Sequence, residues 1–478
     1  MANSQTPYAF RVESPPRSID CVNSSSSLSS AVALRGRSFS AERFATFQSG
    51  PPVDRGGWHP FVFLGVALLL SASMSGGLIF GSSPFEEALL RDCGYGIEDA
   101  TAVWGRGFQV FVVGTAISSP FLDYMGPRWF ASLGLCVECF GHHILAGTAS
   151  YSRERGRKFV PFGYGMVGIG GNMLMLASVQ FSQLFDNSCT VAAILSGAYQ
   201  FAGFIFTILA APSVDFRAFF EVYQFITLAG LCLTLLCYPD EPYGPQRLGR
   251  CTWPSLPKCC KDSSARTGRA IGLQCCSHLG KLRTWLFLLS FAWGATSGGW
   301  CTGAFLGEVS KKAEAEAQSP VATKPLVAWM PFLSNATFFF TPGIGALIDS
   351  WGFVPAIHLL CVAVLASVLS LVLLPLAWQW LTLLSLNWLQ AVTYTLQFTY
   401  IARKYAPDQF GTVMALSTLV QSAVNLVGLY LLTSRPLVAA TILIFPCICL
   451  CQLWHWKERR EQTERRAMTT MSRDESAL

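Results

Sequence analysis

The sequence predicts an all-α polytopic membrane protein, twelve transmembrane helices arranged as two six-helix repeats, and three observations lead there. Charged residues make up only 13% of the 478 positions and hydrophobic ones 52%, with a mean hydropathy of +0.41. A soluble globular chain carries about 25% charged residues. Apolar runs of about 20 residues, the length that crosses a bilayer as a helix, follow one another along most of the chain. Finally, four landmarks recur in the same order roughly 220 residues apart, as a half-chain written twice would show. They are S-G-G-x-x-x-G at Ser75–Gly81 and Ser297–Gly303, and D-Y-M-G at Asp123 with D-S-W-G at Asp349. Val179-Gln180-Phe181-Ser182 is echoed by Leu396-Gln397-Phe398-Thr399, and Gln200 by Gln421.

Taken in order, residues 1–57 are polar, Ser-rich and without an apolar core, so they are expected to be a disordered cytoplasmic tail rather than a signal peptide. Hydropathy places six spans at 60–81, 103–123, 129–149, 160–183, 190–211 and 217–238, and six more at 284–306, 326–348, 353–375, 378–401, 409–432 and 436–455. The expected organisation is an N-terminal bundle over 58–238, a cytoplasmic linker over 239–283, a C-terminal bundle over 284–455 and a basic, helical tail over 456–478. The first outer loop, Ser82–Thr101, is acidic and amphipathic (Glu86, Glu87, Asp92, Glu98, Asp99) and is read as a solvated loop.

With both termini in the cytoplasm, the inner segments hold most of the Lys and Arg, as the positive-inside rule demands. Arg153, Arg155, Arg157 and Lys158 fall on the other side as the one exception. The net charge of +6 is modest and spread over loops and tails, which excludes a nucleic-acid partner. Most of the 17 cysteines lie inside spans, with Cys93 in an outer loop, so no disulfide framework is expected. Cys259, Cys260, Cys275, Cys276 and His278 fit no zinc spacing, and no metal or other cofactor is expected. There is no phosphate-binding loop and no nucleophile–base set, so neither ATP-driven transport nor an enzyme is read here.

The short loop after the second span, Asp123-Tyr124-Met125-Gly126-Pro127-Arg128, has the makings of a conformational latch: an acid at a helix end, a glycine for the tight turn and an arginine close by. The second copy keeps Asp349 and Gly352 but no following arginine. This loop resembles that of the major facilitator superfamily, G-x-x-x-D-x-x-G-x-R, with Ser119 standing where the first glycine is expected and Gly345 keeping that place in the second copy. Residues 75–95, SGGLIFGSSPFEEALLRDCGY, and 168–203, GIGGNMLMLASVQFSQLFDNSCTVAAILSGAYQFAG, are similar to solute carrier family 43, the L-type amino-acid and nucleobase facilitators. The same pattern resembles the apicomplexan amino-acid transporter family. The resemblance implies the major facilitator fold and uniport or exchange of an amino acid, less often a nucleobase, across the plasma membrane.

In that fold the first, fourth, seventh and tenth spans line a central cavity, and their polar residues are the candidate substrate contacts. They are Ser75, Gly76, Gly77 and Gly81 in the first, Asn172 and Gln180 in the fourth, Ser297, Gly298 and Trp300 in the seventh, and Gln390, Tyr394 and Gln397 in the tenth. Tyr199 and Gln200 of the fifth, with Gln421 and Asn425 of the eleventh, add to them. Backbone groups freed at helix breaks by Gly76-Gly77 and Gly298-Gly299 would meet a zwitterion without a buried charge. Glu138 and His142, one turn apart in the third span, are candidates for proton coupling. The resulting expectation is an alternating-access carrier of a small solute, an amino acid, embedded in the lipid bilayer. The alternatives are a nucleobase or other organic-solute carrier, or a nutrient sensor that binds without net flux.

Overall fold

The structure, a computed structural model, describes residues 60–74, 82–151, 153–239, 280–316, 324–405, 407–431 and 435–475. The tail 1–57, the linker from 240 to 279 and the first glycine-rich segment, Ser75–Gly81, lie outside the described residues. Among the described residues there are fourteen α-helices and no strand. The first half comprises α1 (Pro60–Ser73), α2 (Ser82–Cys93), α3 (Ile97–Ser118), α4 (Phe121–Ala146), α5 (Arg153–Val179), α6 (Ser188–Phe201) and α7 (Phe216–Cys237). The second comprises α8 (Leu282–Ala315), α9 (Lys324–Asn335), α10 (Thr341–Trp351), α11 (Phe353–Leu373), α12 (Gln379–Lys404), α13 (Phe410–Leu431) and α14 (Pro436–Glu475).

Each expected span contains helix, and the eighth is the bent pair α9–α10, joined through a 3-10 turn at Ala336–Phe339. Among the described residues, seven helical segments are long and apolar enough to cross a membrane by length and composition. Large apolar side chains that face outward, such as Ile117, Phe225, Leu426 and Phe445, form the surface that hydrocarbon would cover.

Two expectations are corrected. The stretch after the first span is not a solvated loop: α2 buries Phe85, Ala88 and Leu89 in an aromatic cluster with Tyr164, Phe216 and Phe220. Its end is fastened by Arg91, which donates to the Ala211 and Val214 carbonyls at 3.1 and 2.9 Å, and by Asp92, which accepts from Phe216 N at 3.2 Å. The side chains alternate at helical spacing, so one face can be buried while Glu87 and Arg91 stay wet. The second correction concerns Gly298-Gly299. Residues 282–315 form one unbroken helix, so no backbone groups are released there.

Glycine does different work at two kinds of place. Gly126 (φ 75°, ψ 168°) breaks α4 into two helical segments, and Gly352 (φ 81°, ψ −168°) turns the chain between α10 and α11, both in a region essentially closed to residues with a Cβ. Pro127 then opens the next helical segment with its φ already fixed. Along α4 and α5, Gly134 and Gly141 face Gly170 and Gly163, so the two backbones meet. A Cβ on Gly141 would lie 2.8 Å from the Gly163 carbonyl oxygen, and one on Gly134 would lie 2.8 Å from that of Gly170. In lipid, helix association relies on such close van der Waals packing, because the tails are as apolar as leucine.

The same neighbours recur in both halves. α4 packs on α5 and α7, and α11 packs on α12 and α14; α1 meets α6, and α8 meets α13. Between the halves, α6 packs on α10 and α12, while α3 packs on α13. The two halves are thus related by an approximate twofold exchange, as the repeated landmarks require.

Candidate functional site

The two repeated aspartates end up in equivalent places, each across the divide from its own half. Asp123, at the start of α4, accepts from Gly411 N (2.7 Å), Thr412 N (2.7 Å) and Thr412 Oγ1 (2.6 Å) at the first turn of α13. Asp349, near the end of α10, accepts from Cys189 N (3.3 Å), Thr190 N (2.8 Å) and Thr190 Oγ1 (2.7 Å) at the first turn of α6. A carboxylate at a helix N-terminus satisfies donors that have no partner within the helix and complements its dipole. Gln183 adds a third tie at this end, its Nε2 donating to the Ala402 carbonyl at 2.6 Å. We call this the tail end, because α14 continues beyond it.

The arginines are arranged differently in the two copies. Arg128 donates through Nε to the Tyr238 carbonyl, and its backbone N–H bonds Pro239 O at 3.0 Å, which holds the end of α7. The second copy has no arginine in its loop, and Arg403 of α12 takes up the place beside Asp349 at 3.6 Å. It also donates to the Ile348 carbonyl at 3.3 Å. Sequence spacing gave no sign of Arg403, since it comes from a different span.

Ser119 and Gly345 occupy matching positions in the two copies, and the structure shows what each faces. A Cβ on Gly345 would lie 2.7 Å from Thr190 Cα and from Ala193 Cβ. Opposite Ser119 stands Gly411, where a Cβ would run into the Ser119 carbonyl oxygen. Each crossing keeps one glycine, on opposite partners.

Away from the tail end, a cavity lies where the halves meet. Of the expected substrate contacts, Asn172, Tyr199, Gln200, Tyr394 and Gln397 line it, as does Gln421. Phe108, Phe111 and Thr115 of α3, Ser196 of α6 and Met414 and Thr418 of α13 complete the wall together with Val112 and Phe398. Residues of α3, which the sequence reading had not placed there, therefore contribute a large share. A cluster of two phenylalanines and a threonine at helical spacing was the available signal. Gln180, Ser297, Gly298, Trp300 and Gln390 are not among the lining residues, and Ser75, Gly76, Gly77 and Gly81 are outside the described residues.

Among the described residues, no Asp, Glu, Lys or Arg lines the cavity. Its polar atoms belong to amides and hydroxyls between aromatic rings. Asn172 Nδ2 reaches Thr115 Oγ1 at 3.5 Å, and Gln397 Nε2 donates to Ser417 Oγ at 2.8 Å. Gln200 is 2% exposed, yet neither amide atom has a hydrogen-bond partner, and the same holds for the Ser196 hydroxyl. A buried amide left unpaired costs roughly 1–3 kcal/mol, so such groups call for an occupant. On the side of the cavity away from the tail end, Phe201 and Phe204 of the first half meet Phe338 of the second, with ring centroids 4.9 and 6.1 Å apart.

No protein-family model matches the sequence, and no curated protein matches it. Solved structures do. A bacterial homologue of the iron transporter ferroportin in an outward-facing state is similar at TM-score 0.55 and 12% identity, covering 83% of this chain and 97% of that one. The proton:xylose symporter XylE of the major facilitator superfamily, bound to 6-bromo-6-deoxy-D-glucose, is similar at TM-score 0.53 and 13% identity, over 84% of this chain and 96% of that one. The human organic anion transporter MFSD10 (TETRAN) is similar at TM-score 0.50 and 18% identity, over 82% and 97%. The all-helical architecture, the exchanged aspartate contacts and these likenesses together establish that the chain has the major facilitator fold.

Proposed function

We propose that the protein is a carrier that moves a small organic solute across a membrane by alternating access. The observation that carries this reading is the uncharged cavity between the halves, with Gln200 and Ser196, whose polar side-chain atoms have no hydrogen-bond partner, among its lining residues. The ties at the tail end and the phenylalanine contacts beyond the cavity are the two closures that would open in turn. Asp123 and Asp349 form the latch of the tail end, with Gly126 and Gly352 shaping the turns beside them and Arg128 holding the end of α7.

The substrate class we assign is an amino acid with an uncharged side chain. Phe108, Phe111 and Tyr394 would take its apolar part, and the amides its polar end. Lysine and arginine are disfavoured because no acid lines the cavity. A second reading, a nucleobase, is favoured by one observation: with α8 unbroken at Gly298, a wall of amides, hydroxyls and aromatic rings suits a planar neutral ring with adjacent donor and acceptor atoms. Competition of radiolabelled uptake in proteoliposomes, with L-phenylalanine, L-lysine and adenine as probes, separates the readings, and saturable flux excludes a sensor. Gln200→Ala is expected to weaken the substrate's apparent affinity about tenfold or more, the loss of one buried hydrogen-bonding group, with surface expression unchanged. Unaltered affinity in that variant would remove Gln200 from the site.

A further inference from the structure

Glu138 and His142 are both completely buried in the first half and belong neither to the cavity wall nor to the closures. They lie one turn apart on the same face of α4. The glycine seam presses α5 against them: a Cβ on Gly170 would lie 2.6 Å from Glu138 Cβ. On the other side, His142 Nδ1 is 3.3 Å from Thr227 Oγ1 of α7, and its ring lies 5.8 Å from that of Phe220 and 5.4 Å from that of Tyr223. The Tyr223 hydroxyl in turn donates to the Ser73 carbonyl at 3.2 Å.

Glu138 is near enough to act electrostatically on Tyr199 of α6 as well as on Tyr223. Tyr199 lines the cavity, as does Asn172 of α5, two residues beyond the Gly170 that meets Glu138, so the carboxyl lies near the wall the solute would touch. The ionisable groups that face Glu138 among the described residues are Cys139 and His142 of its own helix, Tyr199 of α6 and Tyr223 of α7. At the point of contact α5 offers only Gly170.

We propose that the Glu138–His142 pair is a proton-binding site that couples solute movement to proton movement, an inference that rests on the carrier reading above. A net charge at membrane depth costs about 3 kcal/mol or more. The pair avoids it by holding a single proton, either on the carboxyl beside a neutral imidazole or on the imidazole beside a carboxylate. Removing that proton leaves one uncompensated negative charge, so it departs only when water in the open cavity reaches the Tyr199 side. One proton is bound from the side to which the cavity is open and released on the other, and no covalent bond between heavy atoms is made or broken.

Two measurements test this. In infrared difference spectra of the purified protein, a protonated-carboxyl stretch should appear on acidification and be missing from Glu138→Gln. In proteoliposomes containing a trapped pH dye, uptake of L-phenylalanine or adenine should acidify the lumen. It should also rise severalfold as the outside is acidified. Glu138→Gln should retain exchange of the probe while losing both acidification and pH response, and Glu138→Asp should keep them. An infrared spectrum without a titrating carboxyl overturns the proposal even if neither probe is carried. Saturable uptake without acidification overturns it too, while leaving the carrier reading intact, and a pH response that survives Glu138→Gln excludes this carboxyl.

Discussion

At the scale of single residues, the exchange of glycine between the two tail-end crossings shows how an imperfect motif is made good. Ser119 departs from the repeat, but Gly411 opposite it supplies the space that Gly345 supplies in the other copy. A methyl on Gly411 would push against the Ser119 carbonyl and stand 3.0 Å from Asp123 Oδ1. Gly411→Ala is therefore expected to disrupt the Asp123 contacts and slow transport, whereas Ser119→Gly should be tolerated; equal activity of the two variants in the uptake assay would count against the crossing. Glu86 offers a second residue-level test. Lying on α2 between the first two spans, its carboxyl is pushed up to about 7 by burial. The folded protein then holds a proton there that the unfolded chain, with an ordinary carboxyl near 4.5, has lost. Stability from this group consequently falls as pH rises from about 4.5 to about 7 and is lowest above that window. In detergent, Glu86→Gln should melt higher than the wild type near pH 8, and the two should converge near pH 4.5.

Among elements, the α4–α5 seam is where the membrane setting matters most. A bilayer offers no hydrophobic gain for bringing two apolar helices together, so stability comes from contact area between close backbones. Gly170→Val should force α4 and α5 apart and cost about 1–3 kcal/mol, read as a lower melting temperature in detergent. An unchanged melting temperature would show that the seam is not under this constraint. The helices that sequence hydropathy misjudged are those that leave the apolar layer. α8 runs on to Ala315 through Lys311, Lys312 and Glu314, well past the apolar span ending near residue 306. There Lys312 Nζ donates to the carbonyls of Leu371 and Leu374 at the end of α11, and Glu316 Oε1 accepts from Leu376 N at 2.9 Å. Hydropathy reports the solvent around a helix, not the helix itself, and so it stopped at the edge of the apolar run. For the same reason α2 read as a loop.

On the scale of the whole molecule, the two aspartate contacts act on one equilibrium, closed or open at the tail end. Asp123→Asn and Asp349→Asn should each favour opening by about 0.3–2 kcal/mol, the range for a charge at a helix terminus. Because both bias the same transition from separate sites, their free-energy effects should add in the double variant. Alkylation of a cysteine placed at Ala402, read by peptide mass, measures opening directly. A double variant no more reactive than either single one would show that a single contact governs the closure.

The sequence by itself determined the helical class, the number and order of the spans, the duplication and the positions of the paired aspartates, since composition and repetition are properties of the chain read along its length. Of the two repeated glutamine pairs, Gln200 and Gln421 both line the cavity, whereas Gln397 lines it and its counterpart Gln180 does not. Only the tertiary structure decided that each aspartate caps a helix of the opposite half, that Arg403 stands in for a missing loop arginine, and that α3 lines the cavity in place of a broken α8. The aspartate caps join residues more than 150 positions apart. They depend on which face each helix turns toward its neighbours, and that direction is set by packing between spans, which no local pattern records.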